Sequence, residues 1–102
     1  MHLIQILLPL FDNEGRHFPN EIFHGIGDEL VARFSGLTAF TRAPAEGLWA
    51  PQGDEAKRDD IVTFEVMTEK IDRKWWAEYR SRLEKQLRQA AIVIRTHKIE
   101  LL

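Results

Sequence analysis

Apolar and polar residues alternate along four short segments of this chain and recur every three or four residues along two longer ones. Alternation is the period of a β-strand, and the longer recurrence is that of an amphipathic α-helix. The segments follow one another in the order strand, helix, strand, strand, helix, strand. The predicted strands cover residues 2–10, 37–42, 60–67 and 91–101, and the predicted helices cover about 19–35 and about 72–90. This pattern predicts an α+β domain.

The first predicted helix has residue chemistry that suits both of its ends. Pro19 fits the first helical turn, where its missing N–H costs nothing. Gly36 follows the last apolar position and suits the end of a helix. Gly27 falls on the apolar stripe, so we expect this helix to approach the sheet closely there. The stripe consists of Phe23, Ile26, Leu30 and Phe34.

The second predicted helix carries a continuous apolar stripe and a charged outer face. Acidic and basic residues stand four positions apart on that face, which predicts ion pairs along the helix. The predicted pairs are Glu78 with Arg82 and Glu84 with Arg88, and the stripe consists of Trp76, Tyr79, Leu83, Leu87 and Ala90. We therefore expect one side of this helix to pack on the sheet and its basic residues to form a paired, solvated face.

The region between the second and third strands has two predicted parts. The sequence predicts a loop over residues 43–47 and a short segment at 48–49. This segment would form a small hairpin with the second predicted strand. Residues 51–59 have no apolar periodicity and predict a surface loop.

Composition narrows the classes of function. The chain has 102 residues, of which 44% are hydrophobic and 29% charged, which is typical of one globular domain over residues 1–102. The net charge of −2 gives no reason to expect nucleic acid as a partner. Cysteine is absent, so disulfides, thiolate nucleophiles and cysteine metal ligands are excluded. The apolar start is too short to span a bilayer and lacks a basic leader, so we expect a cytoplasmic protein with no membrane partner.

The element order resembles the ferredoxin-like fold. This resemblance implies a βαββαβ antiparallel sheet in the order fourth, first, third, second, with both helices on one face. The opposite face would be open and too apolar to remain in water. It would carry Leu3, Gln5, Leu7, Ile61, Thr63, Glu65, Met67, Val93, Arg95, His97 and Ile99.

An open apolar sheet face of this kind is similar to that of the dimeric α+β barrel superfamily, in which two sheets pack face to face. The resemblance implies a homodimer. A second resemblance rests on Phe34-Ser35-Gly36-Leu37-Thr38 and Gly47-Leu48-Trp49, which stand before the third predicted strand. These motifs resemble those of a family of short bacterial proteins whose domain has no known function, so this second resemblance implies the fold and no reaction.

Five polar residues of the predicted open face are the candidates for chemistry. Glu65 and His97 are the candidate catalytic pair, because a carboxylate and an imidazole can exchange protons with a bound molecule. Gln5, Thr63 and Arg95 are candidate residues for binding a small polar ligand. In the structural alternative, the same groups bond to one another and fix the register of the dimer interface. Substitution of Glu65 and His97 would separate these interpretations.

Other residues give weaker indications. Trp49 could line a pocket beside the loop, and Arg42 and Arg80 could contact an anion. His17 and His24 are seven residues apart, which matches no compact metal motif, so we expect surface positions for both. No metal and no cofactor is predicted.

These observations favour a homodimeric small-ligand-binding or structural domain. The alternative is a small cofactor-independent enzyme of the monooxygenase or isomerase type, as the dimeric barrel resemblance implies, with Glu65 and His97 as its acid–base pair.

Overall fold

All six elements that the hydrophobic pattern predicts are present in a computed structural model of the chain, which describes residues 1–34, 36–42 and 61–102. The α+β class, with a four-stranded antiparallel sheet and two helices, is confirmed. The segment predicted at 48–49 and the loop predicted at 51–59 lie outside the described residues. The elements are β1 (His2–Pro9), α1 (Asn20–Phe34), β2 (Thr38–Arg42), β3 (Ile61–Thr68), α2 (Arg73–Gln86) and β4 (Val93–Lys98).

The sheet has the strand order β2-β3-β1-β4, with every neighbouring pair antiparallel. Read from the other edge, the fourth strand is followed by the first, third and second, an order consistent with a ferredoxin-like arrangement. β1 and β3 are the central strands, and β2 and β4 form the edges. The register places Gln5 of β1 between Glu65 of β3 and Arg95 of β4.

The hydrophobic core lies between the two helices and one face of this sheet. Alternate residues of β1 and β3 point into the core, as the period of a strand requires. The buried apolar strand residues are Ile4, Ile6, Leu8, Val62, Phe64 and Val66, and the buried helix residues include Phe23, Ile26, Leu30, Trp76, Tyr79 and Leu83. Gly27 packs closely against Leu37, the residue before β2, rather than against a strand of the sheet, because a Cβ added at Gly27 would lie 3.2 Å from Cδ2 of Leu37.

A stack of two aromatic rings between two arginine side chains joins the two helices. We call Arg33, Trp75, Tyr79 and Arg82 the arginine–aromatic stack. The Arg33 guanidinium lies 4.1 Å from the centroid of the Trp75 ring, and the Trp75 and Tyr79 rings are stacked with centroids 4.8 Å apart. Arg82 lies 5.0 Å from the Tyr79 centroid. Burial raises the pKa of the Tyr79 hydroxyl, so this group stays neutral, and it has no hydrogen-bond partner among the described residues.

Ion pairs at the ends of the stack connect α1 to α2. Arg82 of α2 donates to both carboxylate oxygens of Glu29 on α1. At the other end Arg33 of α1 lies 3.8 Å from the carboxylate of Asp72, which caps α2 by accepting from the backbone N–H of Trp75. The sequence pattern predicted that Arg82 would pair with Glu78 along α2. This was wrong, because the stack turns Arg82 toward α1.

The end of α2 also differs from the prediction. The helix ends at Gln86 rather than near residue 90, because Arg88 adopts a left-handed conformation with φ of 52°. The backbone N–H groups of Arg88 and Gln89 then bond back to the carbonyls of Lys85 and Glu84, which is the Schellman pattern. Arg88 therefore lies outside the helix, and the Glu84 carboxylate accepts from the backbone N–H of Ile92 instead.

The left-handed conformation of Arg88 predicts that glycine is favoured at this position. A non-glycine residue in this conformation is destabilised by about 1 kcal/mol. Glycine avoids this cost but loses more backbone entropy on folding, which offsets part of the gain. We therefore expect Arg88→Gly to raise the free energy of unfolding by about 0.5 kcal/mol. The measurement is urea denaturation. Arg88→Ala is the matched control, since it removes the same side chain but keeps Cβ. Equal stability of the two variants would contradict the backbone explanation.

Candidate functional site

The sheet face opposite the helices has no covering element within the described residues. Most of its residues are less buried than those of the core face, although Thr63 is buried. Two of them are large apolar side chains with about half their surface exposed: Val93 at 52% and Met67 at 49%. Leu3, Leu7 and Ile61 are half-buried on the same face. We call this surface the open face.

A continuous hydrogen-bonded row of three side chains crosses the open face, and we call it the polar triad: Arg95, Gln5 and Glu65. Nε of Arg95 donates to Oε1 of Gln5 over 2.7 Å. Nε2 of Gln5 donates to Oε2 of Glu65 over 2.6 Å. The Gln5 amide thus turns its oxygen to the cation and its nitrogen to the anion. A guanidinium and a carboxylate on either side of a neutral amide give the triad no net charge.

The sheet register explains why these three side chains meet. Gln5 is directly opposite Glu65 on one side and Arg95 on the other. Directly opposed residues on one face of an antiparallel pair have neighbouring side chains. Strand pairing therefore places the amide between two charges of opposite sign, with no loop involved in positioning them.

The other two predicted members of the row lie in neighbouring rows. His97 is opposite Leu3, and Thr63 is opposite Leu7. Glu65 and His97 are thus separated by the whole of β1, a distance of roughly 10 Å across two strand spacings, and by a further register step along the sheet. The His97 side chain is exposed and makes no hydrogen bond to a described residue.

The remaining candidates from the sequence are Arg42, Arg80 and Trp49. Arg42 is the last residue of β2 and pairs with Ile61, so its backbone lies at the edge of the sheet farther from β4. Arg80 is exposed on α2, on the helix side of the sheet. Trp49 lies outside the described residues.

A groove between α1 and the sheet was missed by the sequence analysis. Its volume is about 540 Å³, and apolar side chains that include Phe23, Val62 and Phe64 form its floor. Four polar residues also line it: His17, Asn20, His24 and Asp28. The last three are spaced by four positions along α1, a helical period that could have grouped them. His17 precedes the helix and is brought there by its bond to the Phe18 carbonyl and by ring contact with Phe23.

A smaller cleft of about 190 Å³ separates α2 from β4. Its apolar lining includes Ile71, Trp76 and Ile94, and α2 contributes two arginines to it, Arg73 and Arg80. Arg95 of β4 also borders the cleft, but its guanidinium lies on the open face. No acidic residue of the described ranges lines this cleft.

The described residues contain no group of three or more metal-ligating side chains. Within the same ranges, neither helix has the length and apolar character needed to cross a bilayer. No family model matches the chain, and comparison with curated proteins and with solved structures finds no match. The family resemblances therefore stay predictions.

The polar triad predicts different outcomes for the two candidate catalytic residues. We expect Glu65→Gln to lower the free energy of unfolding by about 1 kcal/mol, because it removes the anion that balances Arg95 and weakens a charge-assisted hydrogen bond. His97→Ala should change it by less than about 0.5 kcal/mol, since His97 is exposed and unbonded.

Chemical denaturation measures both effects. Glu78→Gln is the matched control for the first, because Glu78 is an exposed glutamate of α2 that forms no ion pair with a described residue. An increase in stability on Glu65→Gln would instead indicate that Glu65 is held for function at a cost in stability.

Proposed function

We propose that this protein is a homodimeric small-ligand-binding domain in which the open faces of two copies pack against each other. The observation that carries the proposal is a sheet face on which exposed apolar side chains flank a neutral, internally bonded triad. Antiparallel sheets tolerate one solvated face when that face is polar. Here Val93 and Met67 give it apolar character instead, and contiguous apolar patches mark interaction sites.

The triad favours self-association because it can be buried at low cost. An isolated charge in an interface loses its hydration and is strongly unfavourable. Arg95 and Glu65 are joined through Gln5, so the row carries no net charge into the interface. Once covered, the row would set the register of the two sheets, because any displacement would place an apolar side chain over a polar group.

A second copy is the simplest occupant of this face. A two-fold symmetric interface uses the same patch on both copies, so a neutral, mostly apolar face is complementary to itself. The sheet-to-sheet arrangement also leaves the helix side of each copy free. The groove beside α1 would therefore stay accessible in the dimer.

The groove beside α1 supports the ligand-binding part of the proposal. Its volume of about 540 Å³ falls in the range of small-molecule pockets, roughly 300–1,000 Å³. An apolar floor with a few polar groups at the rim suits a molecule with an apolar body and one hydrogen-bonding group. His24 and Asp28, one turn apart on α1, would bond the polar group, and Phe23 would contact the body.

The alternative function, a cofactor-independent monooxygenase or isomerase, requires Glu65 and His97 to act on one bound molecule. No contact within the described residues favours this pairing, because Glu65 is bonded to Gln5 and His97 lies opposite Leu3. The acid–base hypothesis is therefore the second candidate.

The dimer proposal predicts opposite effects on the oligomeric state when glutamate replaces one or the other of two valines of similar exposure. Val93 on the open face is 52% exposed, and Val31 on α1 is 46% exposed. We expect the parent protein and Val31→Glu to have twice the chain mass of 11.9 kDa in size exclusion with light scattering. Val93→Glu should elute as a monomer, because two buried carboxylates would face the same apolar surface.

Each failure of this test has a distinct meaning. A monomeric parent protein would overturn the dimer. A dimer that is lost only in Val31→Glu would place the interface on the helix side.

Ligand binding in the groove predicts a response to a small uncharged aromatic molecule. We expect indole, which has an apolar body and a single N–H donor, to shift the backbone amide signals of His24 and Gly27 in two-dimensional NMR. Ala39→Phe should abolish the shifts, because Ala39 lines the groove and a benzyl group would occupy it. Ala91→Phe, at an exposed position that does not line the groove, is the control. Shifts confined to the open face would contradict the groove.

A further inference from the structure

The outer edge of β4 presents backbone groups that no other strand of the described sheet pairs with. In an antiparallel pair, residues alternate between those that bond to the partner strand and those whose N–H and C=O point away from it. Ile99 donates its N–H to the carbonyl of Met1 over 3.1 Å, which fixes the phase of the alternation between β1 and β4. Ile94, Thr96 and Lys98 therefore direct their backbone groups outward. β4 is an edge strand, so no strand of the described sheet takes up these bonds.

The same three residues have their side chains on the helix side of the sheet, next to α2. Ile94 is opposite Ile6 and Thr96 is opposite Ile4, and both Ile4 and Ile6 are core residues. Ile94 and Thr96 line the cleft of about 190 Å³ between α2 and β4. The outward backbone edge and the cleft thus form one continuous surface.

This surface is positively charged. Arg73 and Arg80 line the cleft from α2, and no acidic side chain among the described residues lines it. Neither arginine forms an ion pair with a described residue. Lys98 of β4 lies on the same side of the sheet, whereas the Arg95 side chain lies on the open face and is bonded to Gln5. A chain with a net charge of −2 therefore has a locally cationic edge.

From these observations we propose that the outer edge of β4 binds an extended acidic peptide by strand addition, with a carboxylate side chain in the cleft between Arg73 and Arg80. Strand addition satisfies the outward N–H and C=O groups of Ile94, Thr96 and Lys98. Alternate side chains of the peptide point toward α2, where the arginines supply the charge complement.

The volume of the cleft and the charge of its arginines favour an acidic peptide over a small molecule and over a second copy of β4. A cavity of about 190 Å³ is smaller than the roughly 300 Å³ at which small-molecule pockets begin, but it accommodates a single acidic side chain. A second copy of β4 is disfavoured, because antiparallel self-pairing would bring the basic residues of two identical strands together. The inference does not rest on the dimer, since the open face and the outer edge are different surfaces of β4.

The test uses a fluorescein-labelled peptide of alternating valine and glutamate, with alternating valine and lysine as the comparison. We expect fluorescence anisotropy to show saturable binding of the acidic peptide to the full chain and none of the basic one. Arg73→Glu/Arg80→Glu should weaken binding about tenfold or more, because it reverses two charges that meet the carboxylate. Lys74→Glu/Lys85→Glu is the matched control, since it makes the same charge change at exposed positions of α2 outside the cleft.

Two further measurements separate strand addition from general charge attraction. N-methylation of alternate peptide residues should abolish binding for the set whose N–H groups face β4 and leave it unchanged for the other set. Amide hydrogen exchange of Ile94, Thr96 and Lys98 should slow when the acidic peptide is bound. Equal effects of the two charge-reversal variants, or unchanged exchange at these three amides, would overturn the proposal.

Discussion

The antiparallel pairing of β1 with β3 is the constraint on which the rest of the structure depends. It runs from His2 opposite Thr68 to Pro9 opposite Ile61 and holds the two central strands in one register. A slip of one residue would exchange the faces of a strand. Ile4 and Ile6 would then turn to the open face, and Gln5 would be buried under the helices without Glu65. The core and the polar triad therefore depend on the same set of backbone bonds.

Packing of the helices depends on large side chains as well as on the sheet. The arginine–aromatic stack places two rings between two guanidinium groups, and its ends are tied by Glu29 and Asp72. Such contacts combine apolar area with a charge held over a ring face. They hold α2 against α1.

The sequence predicted the elements well because strand and helix periods are local properties. The open face was also predicted, since Gln5, Glu65 and Arg95 fall on one side of their strands. The sequence pattern alone could not show whether Thr63 and His97 lie in the same row as these three residues. Residues two places apart on a strand share a face but lie about 7 Å apart, and only the register decides which of them are opposite Gln5.

Other features depended on tertiary contacts that no local period contains. Arg82 pairs with Glu29, which is distant in sequence, rather than with its helical neighbour. The early end of α2 rests on a left-handed arginine, although glycine is the usual residue there. His17 joins the α1 groove through contacts with Phe18 and Phe23, whereas its spacing from His24 gave no reason to group them.

β3 contributes side chains to both faces of the sheet, and so it connects the α1 groove with the open face. Val62 and Phe64 form the floor of the groove, while Thr63 and Glu65 belong to the open face. A molecule that displaces β3 on one side must therefore alter the contacts on the other. By thermodynamic linkage, occupancy of the groove and association of the chains would influence each other by the same factor. In the proposed dimer, a higher protein concentration would thus change the affinity of the groove for its ligand, and the ligand would change the association of the two chains.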